Sequence, residues 1–100
     1  MGRSEEGSRT SLSKYAIELS AHAAKYLAGI SKPDQLRIVG VIDLLGDNPL
    51  PPKALKLRSR EGYRIRVGDY RILYTFDGKV MTVLIIKIGH RKDVYRVTKP

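Results

Sequence analysis

The stretch Tyr63-Arg64-Ile65-Arg66-Val67-Gly68-Asp69-Tyr70-Arg71-Ile72-Leu73-Tyr74 decides the fold. Apolar and basic residues alternate from Tyr63 to Val67. Period-two alternation puts Tyr63, Ile65 and Val67 on one face of a sheet and Arg64 and Arg66 on the other. Gly68-Asp69 is a two-residue hairpin signal. With those residues as the loop, Val67 stands opposite Tyr70, Arg66 opposite Arg71, and Arg64 opposite Leu73. Directly opposed residues of an antiparallel pair share a face, so Arg64, Arg66 and Arg71 gather within about 5–8 Å of one another at Cβ. Opposed like charges are destabilising. A sheet that accepts them is suited to holding an anion there.

Extended segments flank the hairpin on both sides. Upstream, Lys53-Ala54-Leu55-Lys56-Leu57-Arg58 alternates leucine with basic residues, as a short edge strand or an extended approach to the sheet. Downstream, Asp77-Gly78 is a second turn signal. The run Val80–Ile88 is almost continuously apolar, as expected of a central strand buried on both faces. Gly89 is expected to break it, and a polar tail from His90 to Arg96 follows.

Further towards the N-terminus, Lys14–Leu19 alternates Tyr15, Ile17 and Leu19 with polar residues and reads as a short amphipathic strand. Ser20 is a helix N-cap, and Ala21–Ala28 is rich in a strong helix former. Ala23, Tyr26, Leu27 and Ile30 make its apolar stripe, and Gly29 ends it. Ser31-Lys32-Pro33-Asp34 opens a second helix. Leu36, Val39, Ile42 and Leu45 are its expected apolar face, broadened by Ile38 and Val41. Gly40 in the middle of this helix costs ~1 kcal/mol against alanine, which a close helix crossing would explain. Gly46 and Asn48-Pro49 stop the helix. Met1–Ser13, with Leu12 its one apolar residue after Met1, is expected to be a flexible tail.

These elements predict an α+β fold: a small antiparallel sheet of three to four main strands, with an N-terminal two-helix hairpin on one face. The order is β-α-α-β-β-β, with room for one extra short strand. Residues 14–97 form a single domain, and residues 98–100 are a C-terminal end. The face carrying the arginines is left open.

Composition narrows the function. The chain of 100 residues is 42% hydrophobic, a globular composition. It has no cysteine, hence no disulfide framework and no thiolate chemistry. No apolar run approaches the ~20 residues of a membrane-spanning helix, and no signal peptide is evident, so the expected location is cytoplasmic. Residues 1–52 hold six Lys/Arg and six Asp/Glu, whereas residues 53–100 hold thirteen and four. The whole excess of +9 therefore lies where the strands are. A polyanion partner fits this asymmetry.

Two histidines and no cysteine give no zinc site of usual spacing. There is no P-loop and no dinucleotide fingerprint. Glu61, Asp69, Asp77 and Asp93 fall mostly at turns and do not cluster as metal ligands, so neither metal nor cofactor is expected. Arginine, lysine, tyrosine and one histidine remain in the basic half. Such residues can cleave RNA without a metal. The 2′-hydroxyl attacks the adjacent phosphorus, and the protein must stabilise the phosphorane, accept one proton and donate another. Arginine suits the first task, being permanently charged and bidentate. Proton transfer needs a group that titrates nearer neutrality, which points to His90. Arg91 lies beside it in the tail, and Tyr95 offers a ring on which a base could stack.

The hairpin from Tyr63 to Tyr74, followed by Val80–Ile88 and Gly89-His90-Arg91-Lys92-Asp93-Val94-Tyr95, resembles the RelE toxins of bacterial and archaeal toxin–antitoxin pairs. The resemblance spans about residues 14–96 in element order and is most specific over 53–96. It implies a ribosome-dependent mRNA endonuclease that cuts in the A site on the small subunit, and an acidic RelB-type antitoxin that neutralises it in a shared oligomer. By position, Arg71 matches the family's transition-state arginine. Arg91 matches the arginine after the last strand, and Tyr95 the tyrosine that meets the mRNA base. Arg64 and Arg66 occupy the places of two lysines. Arginine is a poor general base because it stays protonated, so His90 is the expected substitute. Lys53, Lys56, Arg58, Arg60, Lys92 and Arg96 are the expected contacts to RNA or ribosome. Two other readings stand beside this one: a ParE-type toxin of the same fold that inhibits DNA gyrase, and a non-enzymatic basic nucleic-acid-binding module.

Overall fold

A computed structural model describes residues 14–91. The expectations for residues 1–13 and 92–100, including the roles of Lys92, Tyr95 and Arg96, lie outside the described residues. The elements are β1 (Ala16–Leu19), α1 (Ala21–Gly29), α2 (Lys32–Asp47), β2 (Leu55–Lys56), β3 (Tyr63–Val67), β4 (Tyr70–Asp77) and β5 (Thr82–His90). The strands form one sheet in the order β1-β5-β4-β3-β2.

The hairpin forms in the expected register, with Val67 opposite Tyr70, Arg66 opposite Arg71 and Arg64 opposite Leu73. Gly68 adopts φ +60, the left-handed conformation that a type II′ turn places on glycine at its first central position. The sheet is larger than three to four strands and is mixed, because β1 joins β5 in parallel, from Ala16 opposite Thr82 to Leu19 opposite Ile85. A parallel pair needs a long crossover. The two helices and β2–β4 supply it, so no local signal in residues 16–19 could have revealed the direction.

Both helices pack on one face. The buried core joins Ala23 of α1 and Ile38, Ile42 and Leu45 of α2 to Ile65, Val67, Ile72, Tyr74, Val83, Ile85 and Ile88 of the sheet. Ser20 caps α1, accepting the Ala23 amide at 3.0 Å. Its hydroxyl also donates to the Ile86 carbonyl at 2.6 Å, which ties the helix start to β5. The buried stripe of α2 differs from the expected one. Steps of three residues drift by about 60° each on a 3.6-residue helix, so Leu36 and Leu45 cannot share a face. Ile38, Ile42 and Leu45 do, and Leu36 and Val39 are exposed.

Gly40 does not mark a close helix crossing, since nothing lies within 4 Å of the place a Cβ would take. Gly40→Ala is therefore expected to stabilise the protein by ~0.5–1 kcal/mol, through the lower entropy of the unfolded chain and the higher helix propensity. Urea denaturation would show this as a higher midpoint at unchanged slope.

β5 also departs from expectation. It starts at Thr82 after a turn in which the Asp77 carboxylate accepts the amides of Lys79 at 2.7 Å and Val80 at 3.4 Å. It passes through Gly89 and ends at His90. It is buried mainly on one face, with Leu84 37% exposed on the other. A bulge explains the apolar run. Leu73 pairs with Lys87 but Tyr74 pairs with Ile85, leaving Ile86 unmatched. The extra residue reverses the alternation, so Ile85 and Ile88 both reach the core although three positions apart.

Candidate functional site

The open face is read row by row across the strands. One row runs Arg66, Arg71, Gly89 over β3, β4 and β5. The next runs Leu55, Arg64, Leu73, Lys87 over β2 to β5. Arg66 and Arg71 are direct cross-strand partners, about 5 Å apart at Cβ. Gly89, the third member of this row, brings no side chain and is itself buried. Among the described residues the one ion pair is Arg37 with Asp34, at 3.6 Å on the helix side. The face arginines thus carry no carboxylate partner there. Arg91 is exposed. Its backbone N–H donates to the Asp69 carbonyl at 2.7 Å, which sets it at the hairpin turn, at the Arg66/Arg71 end of the face.

The expected residues separate into groups. Arg64, Arg66 and Arg71 come together, and Arg91 follows at their end. His90 does not join them. It pairs with Tyr70, whose neighbours in alternation, Ile72 and Tyr74, face the helices. The His90 and Tyr70 rings meet edge-to-face at 5.4 Å. The imidazole therefore lies on the reverse side of the sheet, because β5 continues through Gly89 in strand conformation and alternation turns residue 90 inward. Lys53, Lys56, Arg58 and Arg60 are exposed around β2. Lys56 pairs with Tyr63 and so points to the helix side of this edge. Lys56 therefore does not extend the arginine rows.

Lys87 is the site residue that sequence reasoning missed. It sat inside an apolar run, and only the bulge sets it on the face of Arg71. The one available signal was a lone charge in an otherwise apolar strand. Among the described residues no group of three His, Asp or Glu side chains could hold a metal ion, and no helix is long and apolar enough to cross a membrane.

The reverse side is an aromatic layer. Tyr63 stacks on Phe76 at 5.6 Å, and Tyr15 meets Phe76 edge-on at 6.1 Å. The Tyr70 hydroxyl donates to Asp34 at 2.8 Å. That bond, helped by desolvation, pushes the Tyr70 phenol up to about 12. The Tyr74 hydroxyl, fully buried, donates to the Pro49 carbonyl. Burial and the neighbouring Tyr63 also push it up to about 12.

Fold and site together define a small basic α+β protein whose sheet is backed by helices on one face and carries a cluster of cationic side chains on the other. The family model described as ParE toxin of type II toxin–antitoxin system, parDE, matches residues 11–95. The chain belongs to that family, and it is a toxin of the RelE/ParE superfamily. It is 24% identical over 87 residues to the toxin RelE1 of Methanocaldococcus jannaschii, covering 83% of this chain and 97% of that one. A solved RelBE toxin–antitoxin complex of Mycobacterium tuberculosis superposes with TM-score 0.70 and 27% identity, over 78% of this chain and 99% of that one. The archaeal RelE–RelB complex of Pyrococcus horikoshii gives TM-score 0.67 and 26% identity, over 78% and 96%.

Proposed function

We propose that this toxin is a metal-independent mRNA endonuclease that acts in the ribosomal A site, and that an acidic RelB-type antitoxin holds it inactive. The observation that carries the reading is the Arg66–Arg71 cross-strand pair on the sheet face away from the helices, two permanent charges with no carboxylate partner among the described residues. In the reaction the 2′-oxygen loses its proton and bonds to phosphorus. The arginines stabilise the added negative charge of the phosphorane, the P–O5′ bond breaks, and the leaving 5′-oxygen takes up a proton. The products are a 2′,3′-cyclic phosphate and a free 5′-hydroxyl. Planar guanidinium groups fit the equatorial oxygens in two-point contacts. Arg64 and Arg91 extend the field to neighbouring phosphates, and Tyr95 keeps the base-stacking role that the resemblance gives it.

Proton transfer is reassigned. The His90 imidazole is on the far side of the sheet, whereas Lys87 shares the face of Arg71 and, unlike arginine, can exchange a proton. His90→Ala is expected to leave the cleavage rate within about threefold of wild type. Loss of a general acid or base would cost about 10²–10⁴-fold.

An acidic antitoxin suits a chain of net charge +9. One antitoxin segment can lay an apolar helix side into the groove between Leu19, Leu27 and Val39 on the helix layer, and a separate acidic segment would cover the arginines on the other face of the sheet.

The second reading, gyrase inhibition, rests on the match to the ParE toxin family. One experiment separates them. The toxin is added to a translating extract and, separately, to gyrase with supercoiled DNA. Cuts mapped to A-site codons, with cyclic phosphate ends, support the nuclease. Gyrase-linked DNA breaks with intact mRNA replace that reading with the second.

A further inference from the structure

Strand pairing reaches the last residue of β5 from β4, where His90 stands opposite Tyr70. β1 ends where Leu19 meets Ile85, five residues before His90, and among the described residues no strand continues along that edge of β5. The end of a strand opens at lower free-energy cost than its centre. The fold covers this one from the helix layer. The backbone N–H of His90 donates to the Tyr26 hydroxyl of α1 at 2.9 Å. The Tyr26 ring meets Tyr70 edge-on at 6.4 Å, and Tyr70 in turn meets His90 at 5.4 Å. Tyr70 is anchored to α2 through its 2.8 Å bond to Asp34. On the opposite edge the next amide, that of Arg91, bonds Asp69 at 2.7 Å. Both edges at the strand end are thereby clamped, one residue before an exposed arginine at the end of the cationic face.

The geometry points to Tyr26 as a positioning residue for Arg91: its hydroxyl holds the end of β5 from the helix layer and fixes the direction in which Arg91 leaves the sheet. Tyr26 touches neither RNA nor the reacting atoms, being on the helix side. Its effect on cleavage rests on the proposed nuclease reading; its effect on the strand end does not. The bond is to a backbone amide, so it survives His90→Ala, in agreement with the small effect expected of that substitution.

Tyr26→Phe keeps the ring and removes the acceptor. Amide exchange of His90 and Arg91 is expected to speed up about tenfold while that of Ile72 and Ile85 stays unchanged. On ribosomes, kcat is expected to fall about tenfold with KM within twofold, because misplacement of a charge costs rate more than binding. In an Arg91→Ala background, adding Tyr26→Phe is expected to cost nothing further, as for residues that act through one another. Tyr74→Phe is the control. It removes a buried hydroxyl elsewhere in the same layer and is expected to lower stability without changing kcat. Unchanged exchange at His90 and Arg91 overturns the inference, as do additive effects of Tyr26→Phe and Arg91→Ala. If the wild-type toxin does not cleave mRNA, the nuclease reading fails, and the exchange measurement still decides whether Tyr26 holds the strand end.

Discussion

Arg71→Ala is expected to slow the proposed mRNA cleavage on the ribosome by about 10²–10³-fold, the usual cost of deleting one preorganised charge at a developing oxyanion. The position explains the size. Arg71 is half-buried, lies between Arg66 and Gly89, and has no carboxylate partner among the described residues. Its charge is therefore available to a phosphate, and Arg66 alone cannot complete a two-sided clamp. Stability should change in the other sense or hardly at all. Opposed like charges are destabilising, so removing Arg71 relieves repulsion, and the unfolding free energy should stay within about 0.5 kcal/mol or rise. A time course of cleavage at a single A-site codon, with thermal unfolding of the same preparation, checks both halves. Cleavage within threefold of wild type would count against the arginine pair as the phosphate site.

The second large effect is alkaline unfolding controlled by Tyr74. Its phenol is pushed up to about 12 in the folded protein, against 10.0 when free. A raised folded value means that the folded state holds the proton more tightly. The stabilisation is complete below pH 10, where both states are protonated, and is lost as the pH rises from 10 to about 12. Two units correspond to ~2.7 kcal/mol, a large share of the ~5–15 kcal/mol that holds a domain together. Tyr70, raised by its bond to Asp34, acts in the same direction, with a smaller contribution because it is partly exposed. Unfolding followed by circular dichroism, with tyrosinate absorbance recorded in parallel, should show ionisation of the buried phenol coinciding with loss of structure. Tyr74→Phe should flatten that limb while costing ~1–2 kcal/mol at neutral pH, because the Pro49 carbonyl loses its donor in a buried place. An unchanged alkaline limb in Tyr74→Phe would contradict the assignment.

The two substitutions probe opposite faces of one strand, and they differ in how readable those faces were. The arginine cluster was legible because a hairpin is a local object. Gly68-Asp69 sets the loop, the loop sets the register, and the register sets Arg66 against Arg71. Helix positions were legible from capping residues and spacing. The face of α2 was not, since a run of threes and fours admits several stripes, and the sheet selects Ile38, Ile42 and Leu45. His90 and Lys87 were misread or missed for one reason. Side-chain direction in β5 depends on where a single unpaired residue falls, and Ile86 carries no local mark of being that residue.

By itself, then, the sequence determined a basic α+β domain with a cationic hairpin and two N-terminal helices. Each of those features rests on interactions between residues close along the chain. Tertiary structure alone decided that β1 runs parallel to β5, that Lys87 shares the arginine face, and that His90 turns to the helices. These depend on pairings between segments up to 66 residues apart, such as Ser20 with Ile86, and on the packing of the whole helix layer. A change of one residue in strand register exchanges the two faces, and only the assembled core settles which exchange occurs.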